Sequence, residues 1–547
     1  MKFLRVLINS LLSGLFFSSL LALLVYNLNI NSSFKLSFFF PITAYLMATY
    51  GLLVMLLCFA IFFILQFFLG KKIQIAYVSP SFLLISFSFL IFFFLVIFWE
   101  NYKYFLSFFD PHVRTLLKNQ LMGLFPLAVG GLLLFYGFHY YQKKASFFLA
   151  YFLIFGGVLT FVFFQRVRYP APVLPIKLGT LEAKKIDKKV IILGLEGLSL
   201  DFIVPLISER KLPNFSWLSE RGSWGRLENF SPNEPVVLNN SFNTGKYPAK
   251  HRQISDFNYQ ILNIKEKIEV VPRFILFKQL TRIGLLKLTP KAPSLQIKDI
   301  WKILEENHST FLKKELALKE EPKETNPKAE KTFSLFFKDL QADPNSVFAL
   351  VRKAFFRDSE TEEKAFQEKN QAQPQFYYLL LDGLNVAETY FYKFSFPYFF
   401  GNIAQEQITK YGPVIEKYYE FYDQILGKYL ASLKEDELLI VYSPHGIEIL
   451  PLWKRFVEWI LGNSAVSAYH EHAPDGVVFF YGKGVSRGKT LEGMRLIDII
   501  PTLLYYLGLP VGKDMDGVVQ SQIFVKEFTE ENPVFPISSY EEVQIKK

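Results

Sequence analysis

A chain of 547 residues has room for two to four domains, and with 60 Phe, 29 Tyr and a mean hydropathy of +0.21 it is too apolar for a purely soluble enzyme. The net charge of +10 would suit a nucleic-acid binder until it is located: residues 1–165 carry ten Lys or Arg against Glu100 and Asp110, and the remainder is nearly balanced, fifty against forty-eight. The excess flanks apolar segments, where it reports membrane topology, and no nucleic-acid partner is expected.

Five apolar stretches come first, at about Leu7–Leu28, Phe38–Leu69, Phe82–Trp99, Leu121–Tyr141 and Ser146–Phe164. Each reaches or approaches the ~20 residues that cross a ~30 Å hydrocarbon core. Residues 1–168 are therefore predicted to form a transmembrane domain of about five helices. Lys2 and Arg5 would suit a signal peptide, but no small-residue cleavage site follows, so the first helix is read as retained. Lys2 with Arg5, Lys71 with Lys72 and Lys143 with Lys144 fall in alternate loops, while the first loop between spans has only Lys35. Lys103, Arg114 and Lys118 run mildly against this pattern. The alternation places the N-terminus inside and, after five crossings, the C-terminal region on the periplasmic or extracellular side of the inner membrane. No ionisable residue inside a span marks an ion path, so anchoring to membrane lipid is favoured over transport. Cys58, the only cysteine, lies in an apolar run and allows no intramolecular disulfide.

A Pro-containing tether, residues 169–187, leads to a different pattern over 188–547. Val190–Leu193, Tyr377–Leu381, Leu438–Tyr442 and Val477–Tyr481 are short apolar runs that read as buried parallel strands alternating with helices, which predicts a three-layer α/β domain. Ligands in such sheets sit at the carboxyl ends of strands. Glu196, Asp382 and His445 follow the first three runs and His470 precedes the fourth, so carboxylates and imidazoles suited to a divalent metal are expected to converge there. Glu234 precedes Pro235 at the predicted start of a helix that exits at Gly245, a natural anion seat that already holds a carboxylate.

Further stretches carry a resemblance: residues 188–198, Lys211–Gly222, Asn243–His251, Ile497–Pro510 and Asp514–Gly517. Over roughly 188–525 the chain resembles the type I phosphodiesterases and nucleotide pyrophosphatases of the alkaline phosphatase superfamily. The resemblance implies their αβα fold and a chemistry in which a Thr or Ser nucleophile attacks phosphorus between two zinc-type ions. It matches Asp382, His445 and His470 to metal ligands, with Glu196 standing where the family has Asp. It also exposes breaks: Val386 stands for a His, Pro444 for an Asp, and the nucleophile position falls on Glu234 or Pro235. Ser231, Ser241 and Thr244 offer replacement hydroxyls, and Glu388, Glu448 and His472 replacement metal donors. The expectation is an impaired or inactive member, holding one divalent ion or none, with a binding or assembly role and an envelope protein partner. The alternative is an active phospho- or sulfoester hydrolase working on lipid or glycan head groups. The insert at about 256–375 stands where relatives carry a cap, and its charged stretches Lys313–Lys331 and Arg357–Gln373 read as solvated or disordered linkers.

Overall fold

The computed structural model describes residues 2–30, 36–69, 79–141, 156, 160, 166, 179–184, 186–261, 267–273, 281, 286–291, 297–315, 327–338, 340, 346–460, 462–470 and 473–546. These divide into two compact units: Met1–Leu174 with Pro248–Ser294, and Pro175–Tyr247 with Leu295–Lys547.

The first unit is a helical bundle of α1 (Lys2–Leu28), α2 (Leu36–Leu46), α3 (Leu52–Leu69), α4 (Ser79–Tyr104) and α5 (Pro111–Tyr141). Four segments in it are long and apolar enough to cross a membrane: Val6–Leu28, Phe38–Ile61, Leu83–Tyr104 and Pro111–Gly137. The second runs through a π-helical stretch, Met47–Gly51, that links α2 to α3. Gly51 meets α1 there so closely that a Cβ on Gly14 would lie 2.4 Å from the Gly51 carbonyl oxygen, the small-residue contact that membrane helices use. The fifth stretch, Ser146–Phe164, lies almost wholly outside the described residues, as do the Lys71–Lys72 and Lys143–Lys144 loops.

The ends of α1 and α4 carry asparagines that bind the chain again much later. Asn29 accepts the backbone N–H groups of Glu269 and Val270 at 2.8 and 2.9 Å and donates to the Val270 carbonyl at 2.8 Å. Asn101 accepts the Arg273 N–H at 2.7 Å. Arg166, buried, donates to the carbonyls of Tyr26 and Asn29 at the same end of α1. Strands Phe257–Ile261, Lys267–Ile268 and Leu286–Pro290 form a small antiparallel sheet in this unit.

The second unit is built on seven strands: β1 (Lys189–Leu195), β2 (Ser223–Glu228), β3 (Phe311–Lys314), β4 (Phe376–Leu381), β5 (Glu437–His445), β6 (Asp475–Gly482) and β7 (Lys489–Arg495). Their order is β7-β2-β6-β5-β1-β4-β3, with β5, β1, β4 and β3 parallel and β6 antiparallel to both its neighbours. Odd residues Ile191, Leu193 and Leu195 face one core and even residues Val190 and Ile192 the other, so both faces are covered and each parallel strand reads as a continuous apolar run. On the odd side pack α6 (Leu200–Ser208), α7 (Pro213–Arg221), α10 (Pro327–Phe336), α11 (Val347–Ala372), α12 (Gly383–Ser395) and α13 (Val414–Ser432). On the even side pack α8 (Pro235–Thr244), α9 (Ile300–Glu306) and α15 (Ile499–Tyr506), while α14 (Leu452–Ile460) contributes no buried residue. The three-layer α/β architecture is the expected one.

Two expectations need correction. The run at Val477–Tyr481 is antiparallel, not parallel, to its neighbours. The charged stretch Arg357–Gln373 is not a linker: it lies in α11, whose Val351, Phe355, Asp358, Glu362, Ala365 and Lys369 are all buried along one stripe. Three of those six are charged, which hid the helical periodicity. Phe311–Lys314, at the head of the other charged stretch, is the edge strand β3, and 316–326 lie outside the described residues.

Candidate functional site

The carboxyl end of β1 delivers Glu196, and the end of β4 delivers Asp382 as the N-cap residue of α12. Between them the chain turns at Gly197, φ +96°, where a Cβ would approach Glu388 Oε2 to 2.7 Å and Asn385 Oδ1 to 2.9 Å. Asn385, one residue before Val386 on α12, donates to Glu196 Oε2 at 2.9 Å. The end of β5 delivers His445, and because β6 is antiparallel its first residue, Asp475, lies opposite His445. His470, five residues earlier, therefore reaches the same edge, and the two imidazole rings lie 4.6 Å apart. Both Nδ1 atoms approach the Gly446 carbonyl, at 2.9 and 3.4 Å; as N–H donors there they leave Nε2 as the basic nitrogen. Asn233 donates to the His470 carbonyl at 3.0 Å, which fixes the start of α8 beside this loop. Glu234 caps α8 with an exposed side chain that makes no capping hydrogen bond.

The carboxylate side holds residues that the strand-end reading missed. Arg357, on α11, forms an ion pair with Asp382 Oδ1. Its neighbour Asp358 is fully buried and accepts hydrogen bonds from Gly383 N at 3.0 Å, Tyr418 OH at 3.0 Å and Tyr422 OH at 2.8 Å. Burial, followed by the charge of Asp382, raises Asp358 to about 7. Asp382 is also raised by burial, but Arg357 opposes the shift, and the ion pair assigns the negative charge to Asp382. Glu196 retains some exposed surface, yet protein surrounds its carboxyl group; desolvation and then Asp382 raise it to about 8. At the other end, burial and then His445 hold His470 down at about 3, so both rings are neutral at pH 7.

These residues do not fit a two-metal centre. Glu196, Asp382, His445 and His470 share one sheet edge, but among the described residues no three His, Cys, Asp or Glu side chains are disposed to hold one ion. A guanidinium occupies Asp382, and Asn385 binds Glu196. Among the described residues, the replacement donors form no cluster that closes the gap. Glu388 is enclosed and accepts from Tyr419 OH at 3.3 Å, Thr244 donates to Asn240 O at 2.7 Å, Ser241 is buried within α8, and His472 lies outside the described residues. A cavity of about 700 Å³ near Asp475, lined by Leu200, Arg226, Glu228 and Gly493, includes none of the four strand-end residues.

Parts of three of the stretches that carry the resemblance, at Gly245–Tyr247, Asp498 and Asp514–Gly517, meet elsewhere in the same unit. Gly245 closes α8 at φ +64°, and its carbonyl accepts from the N–H groups of Asp516 and Gly517 at 3.0 Å each. Tyr247 N donates to Asp516 Oδ2 at 2.8 Å. Buried Lys246 reaches Asp514 at 2.5 Å and Glu541 at 2.9 Å. Asp498, fully buried, accepts from Arg495, Val518 N and Gln520. These residues form a structural clamp.

No protein-family model matches the sequence, and no curated protein matches it. Solved structures similar to the chain include the phosphonate monoester hydrolase SpPMH from Silicibacter pomeroyi, at 14% identity and a TM-score of 0.37, covering 62% of this chain and 76% of that one. The murine and human ectonucleotide pyrophosphatase/phosphodiesterase 5 are similar at 11% identity and a TM-score of 0.37, over 62% of this chain and all of theirs.

Proposed function

We propose that the protein is a membrane-anchored, outward-facing phosphodiesterase-like protein that keeps the fold and has given up metal-dependent hydrolysis for a binding or assembly role in the cell envelope. The Arg357–Asp382 ion pair carries this reading. A guanidinium neutralises the carboxylate that the family motif assigns to a metal, but it offers only N–H donors, so it cannot act as a Lewis acid or lower the pKa of a bound hydroxyl as a metal does. Val386 and Pro444 remove two further donors, and Glu234 puts a carboxylate where an anionic ester would dock.

The outward orientation draws support from the first unit. The ends of α1 and α4 and the starts of α2 and α5 share one side of the bundle, and Asn29 and Asn101 hold residues 269–273 there. In the sequence, Lys71–Lys72 lie between α3 and α4 and Lys143–Lys144 follow α5, positions that the positive-inside rule assigns to the cytoplasm. In a Cys58→Ser background, cysteine at Lys72 or Lys144 should resist an impermeant thiol reagent in intact cells and cysteine at Leu335 should react; the inverse pattern reverses the orientation.

The activity test uses an activated aryl phosphodiester with added zinc or manganese. We expect no turnover above a metal-only control. Turnover abolished by Asp382→Ala would instead support the second reading, an active hydrolase of phospho- or sulfoesters on lipid or glycan head groups.

A further inference from the structure

Helix α14 is built inside out. Its sequence places Leu452, Trp453, Phe456, Val457, Trp459 and Ile460 on about half of the helix circumference, with Lys454, Arg455 and Glu458 on the rest. In a helix serving a soluble core the apolar arc would face inward. Here the charged arc makes the attachments: Arg455 donates to the carbonyls of Leu450 at 2.6 Å and Phe399 at 2.9 Å and covers the Phe400 ring at 4.0 Å, while Lys454 lies 4.0 Å from the centre of the Tyr469 ring. The apolar arc faces solvent, with Leu452 78% exposed, Phe456 60%, Trp459 64% and Ile460 62%. The adjoining turn Pro397–Phe399, held by Arg455, adds Tyr398 at 92% exposure.

We infer that α14 and this turn form a membrane-docking face that sits in the lipid interface. The inference rests on the proposed anchoring. Three observations select a lipid surface as the occupant. The same chain carries four helices long enough to cross a bilayer, so a bilayer is a surface covalently linked to this face. The patch mixes Trp and Tyr with Leu, Ile and Phe, the composition that settles at the headgroup level. Its two cations lie on the opposite arc, as in helices lying in the interface plane.

The location ties this face to the candidate site. α14 is the excursion of a short hairpin in which Glu448 pairs with Tyr469 and Ile449 with Ala468. The two stems of that hairpin lead directly to His445 and His470, so docking α14 brings the histidine edge to the headgroup surface, where a ligand would be a lipid head group.

The test places an environment-sensitive fluorophore on Phe456→Cys or Ile460→Cys in the full chain with Cys58→Ser, reconstituted into phosphatidylcholine–phosphatidylglycerol vesicles containing acyl-chain nitroxide lipids. Leu335→Cys on α10 serves as an exposed reference and Phe93→Cys on α4 as a membrane reference. We expect the α14 labels to be blue-shifted and quenched at a depth of about 5–10 Å, with Leu335 unquenched and Phe93 strongly quenched. Quenching at Phe93 with α14 labels as bright as Leu335 overturns the docking face alone. A blue-shifted but unquenched α14 label means that protein, either the chain's own helices or a second copy, covers the face, and this also overturns it. An unquenched Phe93 overturns the membrane anchoring as well. The two label sites are independent, so a failure of one variant to fold leaves the other to decide.

Discussion

The clamp around Lys246 and the sheet edge around Asp382 lie in one α/β unit, and both carry stretches of the phosphodiesterase resemblance, yet they have different fates. In the clamp the motif residues Gly245, Lys246, Tyr247, Asp514 and Asp516 bind one another through backbone and charge. At the edge the motif positions are altered, and Arg357 and Asp358, from a helix outside the motif, occupy the space between the strand ends. Buried polar atoms also stay without partners there: Arg357 Nε, Asp358 Oδ1, Asn385 Oδ1 and Glu388 Oε2. The contrast teaches that a resemblance strong enough to indicate the fold can rest on residues that hold the fold together, while the reactive positions diverge. Buried atoms without partners are costly, on the order of 1–3 kcal/mol each.

The sharpest way to break the comparison is to attack the clamp. Lys246→Met leaves Asp514 and Glu541 facing each other without their cation and should cost about 3–5 kcal/mol in chemical unfolding of the full chain in nanodiscs. A loss near zero would mean that the clamp is not structural. Gly245→Ala should cost about 1–2 kcal/mol because of its left-handed backbone, with added crowding from Pro501 Cδ, 3.0 Å from the new Cβ.

At the sheet edge the effects should be smaller and pH-dependent. Arg357→Met removes the counter-charge of a partly exposed pair and should cost about 1–2 kcal/mol at pH 8. The loss should shrink as pH falls through about 7, where Asp358 takes up a proton. A pH-independent loss would show that Arg357 acts through packing alone.

The mildest change, Glu196→Gln, sharpens the electrostatic account. Glu196 has its folded pKa raised from 4.5 to about 8, so its contribution to stability is fully present below 4.5 and is lost as pH rises toward 8. Glutamine imitates the neutral acid and keeps the Asn385 hydrogen bond. The variant should match the wild type near pH 4 and exceed it near pH 9, and equal stabilities across that range would refute the raised pKa.

The main strands were legible because doubly covered parallel strands are apolar throughout, as at Val190–Leu193 and Tyr377–Leu381. The direction of β6 was not, because an antiparallel central strand buried on both faces has the same composition. Glu196, Asp382, His445 and His470 were found by asking what stands at strand ends, a rule that depends only on sheet topology. Arg357 and Asp358 escaped it because they come from the side of a helix. The spacing Val351, Phe355, Asp358, Glu362 was the available signal, weakened by burying charge where apolar residues are expected. The division of this region was not legible: residues 248–294 group with the helical bundle, whereas α9, β3 and α11 complete the α/β core.

The proposal that the Arg357 guanidinium stands where the resemblance would put a metal at Asp382 is tested most directly by counting metal. The full chain, purified without chelator, incubated with zinc and then exchanged into metal-free buffer, should retain fewer than one transition-metal ion per chain by mass spectrometry. Two tightly held ions per chain, lost on Asp382→Ala, would contradict the account and restore the hydrolase reading.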